Sequence, residues 1–439
     1  MTTTSICANV SITALAFEGA GIAHLADGKT VFVAGAVPGD HVRICVQEQH
    51  PRYARATIVE VLEPSPERVA PACPYHALCG GCNLQQVSYA EQMRSKRRFV
   101  VDALTHIAAL PNAESLVADI CGSQHEWNYR NKIELEPVFI GKRLSLGLHA
   151  KHSSEVVPVK NCLLLPKGLT DLPGRLAGAL GFACRDTDAA IKRVGIRVSP
   201  TAGDIELALW TEPGPCNRSF VAKVLGDALK TTSLVRVLAA GALEKRDVRK
   251  VEVLGGRGFW TDDLGEYRYR VSAPSFFQVN SSQARCLVEQ ALTGLDLADA
   301  HVADLYSGVG TFTLPLAERA GQVTAIEMAG SSIRDLRRNL IENGLDAEVI
   351  GGGVEHMLPD LDDVQIALVD PPRSGLTTNA RRAIVDAAPQ TLVYVSCNPT
   401  TLARDIKELI QAGYRLVTAT PVDLFPQTHH IETVARLVR

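Results

Sequence analysis

The residue types best suited to chemistry lie in the last third of this 439-residue chain. Cys397 sits in Tyr394-Val-Ser-Cys-Asn-Pro399, between an apolar stretch that reads as a buried strand and a proline that opens a helix. A thiol facing a helix N-terminus is expected to lose its proton readily, because the helix dipole favours negative charge there. Glu432 closes Phe425-Pro-Gln-Thr-His-His-Ile-Glu432 and leads into another apolar strand. A carboxyl group partly buried there, with its pKa raised, suits proton transfer. His429 and His430 could ligate a metal, but no third ligand has suitable spacing, and loop packing explains them equally well. Asp370-Pro-Pro-Arg-Ser-Gly375 is the third candidate. Its two prolines fix φ and withdraw donors, making a stiff ledge for the carboxylate, or simply a loop that stops a strand.

A fourth constellation is Asp304-Leu-Tyr306-Ser-Gly308-Val-Gly310-Thr-Phe. Such a turn lets backbone approach a ligand. The third glycine of a dinucleotide fingerprint is replaced by Thr313. Glu327 ends the next apolar segment, where a carboxylate can accept both hydroxyls of a ribose. That combination fits S-adenosylmethionine better than NAD; a bare turn with a solvent-facing glutamate is the plainer reading. Cysteines form the fifth group. Cys73, Cys79 and Cys82 crowd into ten residues and need a fourth thiol to close a site. Spacing alone leaves zinc and iron–sulfur both open. Gly80 and Gly81 suit a loop wrapped around a bound group. Of the 11 cysteines, Cys7, Cys45, Cys121, Cys184, Cys216 and Cys286 read as isolated small hydrophobes.

The elements that must position these groups follow from hydrophobic period. Residues 301–304, 323–327, 366–370 and 392–396 are short apolar runs alternating with helical patterns, and 433–438 is a last strand. Helix faces are carried by Ile333, Leu336, Leu340 and Ile341 before Gly344, and by Leu402, Ile406, Leu409 and Ile410 before Gly413. This alternation predicts a parallel sheet covered on both faces. Ligands of such sheets bind beyond the carboxyl ends of the strands, where every candidate group of this region falls. Upstream, 10–17, 30–33, 42–47 and 56–62 read as strands of a small barrel, with turns at 18–21 and 37–40. Prolines at 64, 66 and 71 mark a boundary. A helix is expected over 89–108, and 121–270 alternates strands with helices near 170–182 and 217–230.

Composition is that of a globular protein, 46% hydrophobic and 21% charged, and no apolar run is long enough for a membrane helix. The first residues lack a basic stretch followed by an apolar one, so a cytoplasmic protein is expected. Net charge is −3, yet residues 151–250 hold 16 Lys+Arg against 10 Asp+Glu, and 251–400 hold 11 against 20. A nucleic-acid partner is therefore neither demanded nor excluded by charge, and would have to bind local basic patches. The run Arg94-Ser-Lys96-Arg97-Arg98 is one candidate, with a solvated helix face as the alternative.

Several of these segments together resemble the uracil-C5 RNA methyltransferases. Asp370-Pro-Pro-Arg-Ser-Gly375, followed by Leu392-Val-Tyr-Val-Ser-Cys397-Asn-Pro-Thr-Thr, is similar to one family signature. Asp423-Leu-Phe-Pro-Gln-Thr-His-His-Ile-Glu432 is similar to another, and Phe276-Phe-Gln278-Val-Asn280 to a cofactor-contacting segment. Phe17-Glu-Gly-Ala-Gly-Ile-Ala and Val33-Ala-Gly-Ala-Val-Pro-Gly-Asp40 resemble the TRAM domain, an RNA-binding module. The resemblance implies Cys397 as nucleophile, Glu432 as base, and Gln278, Tyr306, Glu327 and Asp370 as the S-adenosylmethionine site. It further implies a [4Fe-4S] cluster on Cys73, Cys79, Cys82 and a distant Cys162, which stands in Val159-Lys-Asn-Cys162. The implied fold is multidomain α/β. A TRAM-like, OB-like β-barrel covers 1–63, and an α+β central domain with the cluster covers 64–90 and 121–270. A Rossmann-like class I methyltransferase domain covers 91–120 and 271–439. The TRAM-plus-cluster combination resembles the 23S ribosomal RNA branch more than the transfer RNA branch. No membrane and no obligate protein partner are expected. Rival readings are cytosine-C5 methylation, against which Arg373 replaces the second cysteine usual after the prolines, and a non-catalytic RNA-binding iron–sulfur protein.

Overall fold

A computed structural model describes residues 7–183, 191–240 and 247–439, so Cys184 lies outside the described residues. Six strands form the N-terminal sheet: β1 (Cys7–Ser11), β2 (Ala14–Leu15), β3 (Gly21–His24), β4 (Thr30–Ala34), β5 (His41–Gln49) and β6 (Tyr53–Glu63). Their order is β1-β5-β6-β4-β3-β2, with only the β4–β6 pair parallel. Along β5, Val42, Ile44 and Val46 point inward and Arg43 and Gln47 outward, the period of two that buries one face. Strand β3 begins at Gly21, within what the sequence suggests is only a turn. A Cβ on Gly21 would stand 2.6 Å from Ala36 Cβ, so glycine lets two walls of the barrel meet there.

The chain then passes through the cysteine loop into α1 (Tyr89–His106) and α2 (Ala113–Leu116). The central unit comprises β7 (Lys132–Ile140), β8 (Arg143–His149), β9 (Val156–Pro158), α3 (Leu172–Ala183), β10 (Ile191–Ser199), β11 (Asp204–Thr211), α4 (Arg218–Leu229), β12 (Ser233–Ala240) and β13 (Asp247–Gly256). Its sheet runs β13-β12-β11-β10-β7-β8-β9, and Leu172, Leu176, Leu180, Val221, Leu225 and Leu229 bring both helices into its core. A hairpin, β14 (Trp260–Leu264) and β15 (Tyr267–Val271), leads into the last unit.

That unit contains α5 (Ser281–Leu292), β16 (His301–Leu305), α6 (Thr313–Ala317), β17 (Gln322–Glu327), α7 (Gly330–Glu342), β18 (Glu348–Gly351), α8 (Val354–Met357), β19 (Ile366–Val369), α9 (Thr378–Ala387), β20 (Thr391–Ser396), α10 (Pro399–Gln411), β21 (Arg415–Val422) and β22 (Glu432–Val438). The sheet order is β18-β17-β16-β19-β20-β22-β21. The first five strands are parallel; β22 lies antiparallel between β20 and β21, so the sheet is mixed rather than parallel throughout. The sequence hides β21 because Pro421 interrupts its pattern, and proline is tolerated there at the sheet's margin. On α7, Ile341 is 80% exposed, against the expected face. Buried Asp335 and Asn339 take that role: Asp335 accepts from Ser272 N at 2.8 Å, and Asn339 Nδ2 donates to Val309 O at 2.9 Å. No helix among the described residues is long and apolar enough to cross a membrane.

Helix α1 packs on this last sheet although the central unit follows it in sequence. Val100, Val101, Ala103 and Leu104 share a core with Leu402, Ile406 and Leu409 of α10. Lys96 is completely buried; its Nζ donates to Asp423 Oδ1 at 2.6 Å and to Phe425 O at 3.0 Å. Tyr89 OH donates to the other Asp423 oxygen at 2.9 Å. Gln427 N donates to Gln92 Oε1 at 2.9 Å, and Gln92 Nε2 returns a bond to Gln427 Oε1. Residues 117–121 then run beside β21, with Ala118 N bonded to Ala419 O and Cys121 N to Pro421 O, covering its edge. Lys96 thus leaves the basic run for the interior, while Arg94 and Arg98 stay more than half exposed, as on a solvated helix face. Arg94 pairs with Glu67 and Glu91, and Arg97 with Glu114 and the carbonyl of Val117. Arg98 approaches Asp102 at 3.5 Å.

Removing one partner of a buried ion pair leaves the other charge uncompensated, which costs about 3–5 kcal/mol. Lys96→Met is expected to destabilise the last unit by about that much, read as a lower midpoint in thermal or urea unfolding. A loss under about 1 kcal/mol would show that the pair does not clamp α1.

Candidate functional site

One cavity of about 1170 Å³ opens at the carboxyl ends of β16, β17, β19 and β20 and extends to the cysteine loop. Gln278, Tyr306, Glu327, Asp370, Cys397 and Glu432 all line it, as do Cys73, Cys79, Cys82 and Cys162. The sequence-derived residues thus converge on one space.

The glycine turn and Glu327 are built as a unit. Gly308 N donates to Glu327 Oε2 at 2.9 Å and Ala329 N to Oε1 at 2.6 Å, fixing the carboxylate's orientation. Tyr306, a non-glycine residue, is held at φ 64°, a left-handed conformation that such residues adopt at a cost. Gln278 is held from the central sheet: Asn131 Nδ2 donates to its carbonyl at 2.9 Å, and Asn131 N to Val279 O at 2.8 Å. Asn280 caps α5 and donates to Leu424 O at 3.1 Å, tying this segment to the 423–432 loop.

The charge of the site departs from what the sequence suggests. Burial, and then the carboxylates of Glu432 and Asp370, push the Cys397 thiol up to about 12 against the opposing charge of Arg373. The expected readily ionised thiol is thus overturned. Helix α10 is already capped at this end, Asn398 Oδ1 accepting from Thr400 N at 3.0 Å, and Pro399 has no N–H to offer. Glu432 rises well above the carboxylate range, chiefly by burial and then through Asp370. Asp370 itself is pushed up to about 7 by burial. The two histidines divide: His430 lines the cavity, whereas His429 packs edge-on to Phe17 of the barrel at 5.5 Å. Burial lowers both rings, to about 4 for His429 and about 3 for His430, leaving them neutral.

At the other end of the cavity, burial is the main cause that raises Cys79 and Cys162 and brings Cys82 to about 12; Cys79 also feels Cys73, Cys162 feels Cys79 and Cys73, and Cys82 feels all three. Among the described residues, no group of three or more His, Cys, Asp and Glu side chains is arranged to hold a metal ion. Gly80 is held close to the backbone of the neighbouring strand. Its N donates to His149 O at 2.9 Å, and a Cβ would stand 3.0 Å from that same oxygen. The remaining cysteines are less solitary than their sequence contexts suggest. Cys121 and Cys286 have sulfurs 2.6 Å apart, and Cys7 lies opposite Cys45 across β1 and β5. Cys7 is exposed, whereas Cys45, Cys121, Cys216 and Cys286 are half-buried, the last three packed against the hydrophobic cores.

Sequence reasoning passed over several residues. Asp304 is fully buried beneath the glycine turn and pushed up to about 7 by burial, with Asp370 and Glu327 adding to it. Thr313, noted only for not being glycine, donates its hydroxyl to Asp304. Trp127, Arg130 and Lys132 also line the cavity. Their aromatic-and-basic alternation in Trp127-Asn-Tyr-Arg-Asn-Lys132 was the available signal.

Comparison with known proteins agrees with this geometry. Residues 259–351 and 358–439 match the family model described as tRNA (Uracil-5-)-methyltransferase, and 8–59 match the TRAM domain. An uncharacterized RNA methyltransferase of Gloeobacter violaceus is 36% identical, the alignment covering 98% of this chain and 96% of that protein. Another from Caldanaerobacter subterraneus is 33% identical over 98% and 97%. Among solved structures, the tRNA (uracil-54, C5)-methyltransferase of Pyrococcus abyssi, in complex with S-adenosyl-L-homocysteine, superposes with a TM-score of 0.76. That match spans 98% of this chain and 99% of that one at 24% identity, so it speaks to the fold. Full-length relatives and matched domains lead to one assignment: the chain belongs to the uracil-5 RNA methyltransferase family, with a TRAM domain ahead of its catalytic unit.

Proposed function

We propose that this protein methylates C5 of a uridine in structured RNA, with Cys397 as nucleophile and Glu432 as base. The observation that carries the reading is the meeting of Cys397, Glu432 and Asp370 in one cavity, next to the Gly308 turn and Glu327. Uracil C5 is too weak a nucleophile to take a methyl group unaided. Addition of the Cys397 sulfur to C6 makes C5 enolate-like and able to attack. The C5 proton then passes to Glu432, its bonding electrons restore the C5=C6 double bond, and the C6–S bond breaks with sulfur leaving as thiolate. A positioned carboxylate contributes about 10²–10⁴-fold to such a transfer. Gln278, Tyr306, Glu327 and Asp370 would hold S-adenosylmethionine, which supplies the electrophilic methyl and a positive charge. The fit rests on chemistry seen here: carboxyl groups crowded together and raised in pKa are stabilised as anions by a nearby cation. The target base must leave its stack to reach Cys397 within the cavity.

The four cysteines would hold a [4Fe-4S] cluster. Three or more side chains are not placed around a single ion, yet all four thiols line one cavity, and Cys82 and Cys162 feel the charge of other members of the set. A four-iron cluster is wider than one ion, so its ligands stand farther apart. Methyl transfer needs no electron, so such a cluster would position loop or RNA. We assign 23S ribosomal RNA as the substrate on the resemblance of the barrel and cysteine quartet to that branch. Transfer RNA is the second reading, favoured by the Pyrococcus enzyme, whose match includes the barrel.

With S-adenosylmethionine and RNA tritiated at C5, tritium release from uridine is expected; release from cytidine, or none from either, would overturn the reading. Offering 23S fragments and transfer RNA in parallel identifies the substrate. RNA carrying 5-fluorouridine should remain covalently attached to the wild type and not to Cys397→Ala. Anaerobically purified protein should be brown; a colourless, zinc-containing protein would refute the cluster.

Because the folded environment raises the Cys397 thiol, its neutral form dominates at neutral pH and the thiolate grows with pH. Alkylation of Cys397 by iodoacetamide, followed on its peptide by mass spectrometry, should climb about tenfold per pH unit from about pH 7 to about pH 10. A plateau near the ordinary thiol value of 9.0 would show that burial and the two carboxylates leave the thiol unshifted.

A further inference from the structure

Asn83 follows Cys82 directly and stands where barrel, cysteine loop and the 423–432 loop meet. Its Nδ2 donates to Glu18 O at 2.8 Å and to His429 Nδ1 at 2.9 Å, while its Oδ1 accepts from His429 N at 3.0 Å. The amide's orientation is determined, because a carbonyl only accepts and a backbone N–H only donates. Asn83 N and Leu84 N both donate to Gln427 O, at 3.2 and 3.0 Å. From the barrel side, Gly19 closes over the amide at φ 87°; a Cβ there would fall 2.7 Å from Asn83 Nδ2. Asn83 does not line the cavity, although its neighbour Cys82 does.

His429 is followed by cavity-lining His430, then by buried Ile431 and Glu432, the first residue of β22. Where the backbone of His429 sits therefore determines how Glu432 enters the cavity. The thiol is anchored separately: Asn398 caps α10, and Ser396 Oγ accepts from Asn398 N at 3.2 Å. The groups around the Gly308 turn belong to β16, β17 and β19, which Asn83 does not contact.

We propose that Asn83 is a positioning residue for Glu432, making removal of the C5 proton depend on the barrel and cysteine loop being docked. This rests on the reading of Glu432 as the base. Asn83 acts on one step only. After methyl transfer, C5 carries both methyl and hydrogen while sulfur remains bonded to C6; the proton passes to Glu432, the double bond reforms and thiolate departs. Misplacing the base by about an ångström slows such a step by up to about a hundredfold, whereas sulfur addition and methyl transfer do not use it.

The test follows methyl incorporation and tritium release together in a single turnover on RNA with ordinary uridine, quenched into denaturant to trap protein–RNA adduct. The full-length protein is used as purified, with its cysteine loop undisturbed. Wild type should release tritium in step with methylation. Glu432→Gln should methylate and then stall as adduct. Asn83→Ala should methylate at the wild-type rate but release tritium about tenfold to a hundredfold more slowly, with adduct accumulating. Asn83→Asp, equal in size and still an acceptor for His429 N, loses both Nδ2 donations and should show a smaller lag if Asn83→Ala fails to fold. Methylation and tritium release falling together, without adduct, would reduce Asn83 to a structural role and overturn the proposal. No adduct in Glu432→Gln would remove the base assignment itself, and this proposal with it.

Discussion

The contact between Lys96 and Asp423 governs how this molecule is organised. It joins α1 to a loop more than three hundred residues later in the chain, in a place where neither charge meets water. Such a pair contributes little net stability over a hydrophobic one, but losing either partner strands the other charge in the interior. The loop it selects is gripped on several sides: by Tyr89 and Gln92 of α1, by Tyr129 through its hydroxyl to Pro426 O at 3.0 Å, and by Asn280. Glu432 therefore enters its strand from a scaffold contributed by distant parts of the sequence.

A second constraint follows from crowding acidic groups in a water-poor space. Asp304, Asp370 and Glu432 all hold their protons more tightly than free carboxyls, and Cys397 holds its own more tightly still. Each added negative charge would make the next ionisation harder. The arrangement is costly for a surface with no charged ligand and well suited to one that receives a cation.

Much of this site was legible in the letters because its groups sit where strands end, and short apolar runs followed by glycine, proline or a helix signal announce such ends. Cys397, Asp370, Glu327 and the Gly308 turn were all found that way. What stayed hidden depends on partners far away in sequence. Nothing local in Arg94-Ser-Lys96-Arg97-Arg98 distinguishes a lysine sealed against Asp423 from arginines at the surface. The Cys397 proton affinity was misjudged for the same reason: the helix signal is local, whereas burial and Glu432 come from elsewhere in the chain. Ile341 looked buried by period, yet Asp335 and Asn339 took the inward face because β15 and the segment after it offer them donors.

The placing of β22 between β20 and β21 bears on how the molecule comes into being on the ribosome. Every other strand of that sheet is synthesised earlier, but β21 has no hydrogen-bonded strand to join it to β20 until residues 432–438 have been made. Until Asp423 emerges, Lys96 has no counter-charge to accompany it into the interior. The final strand is thus the one that closes the catalytic sheet, joining β21 to the rest of it.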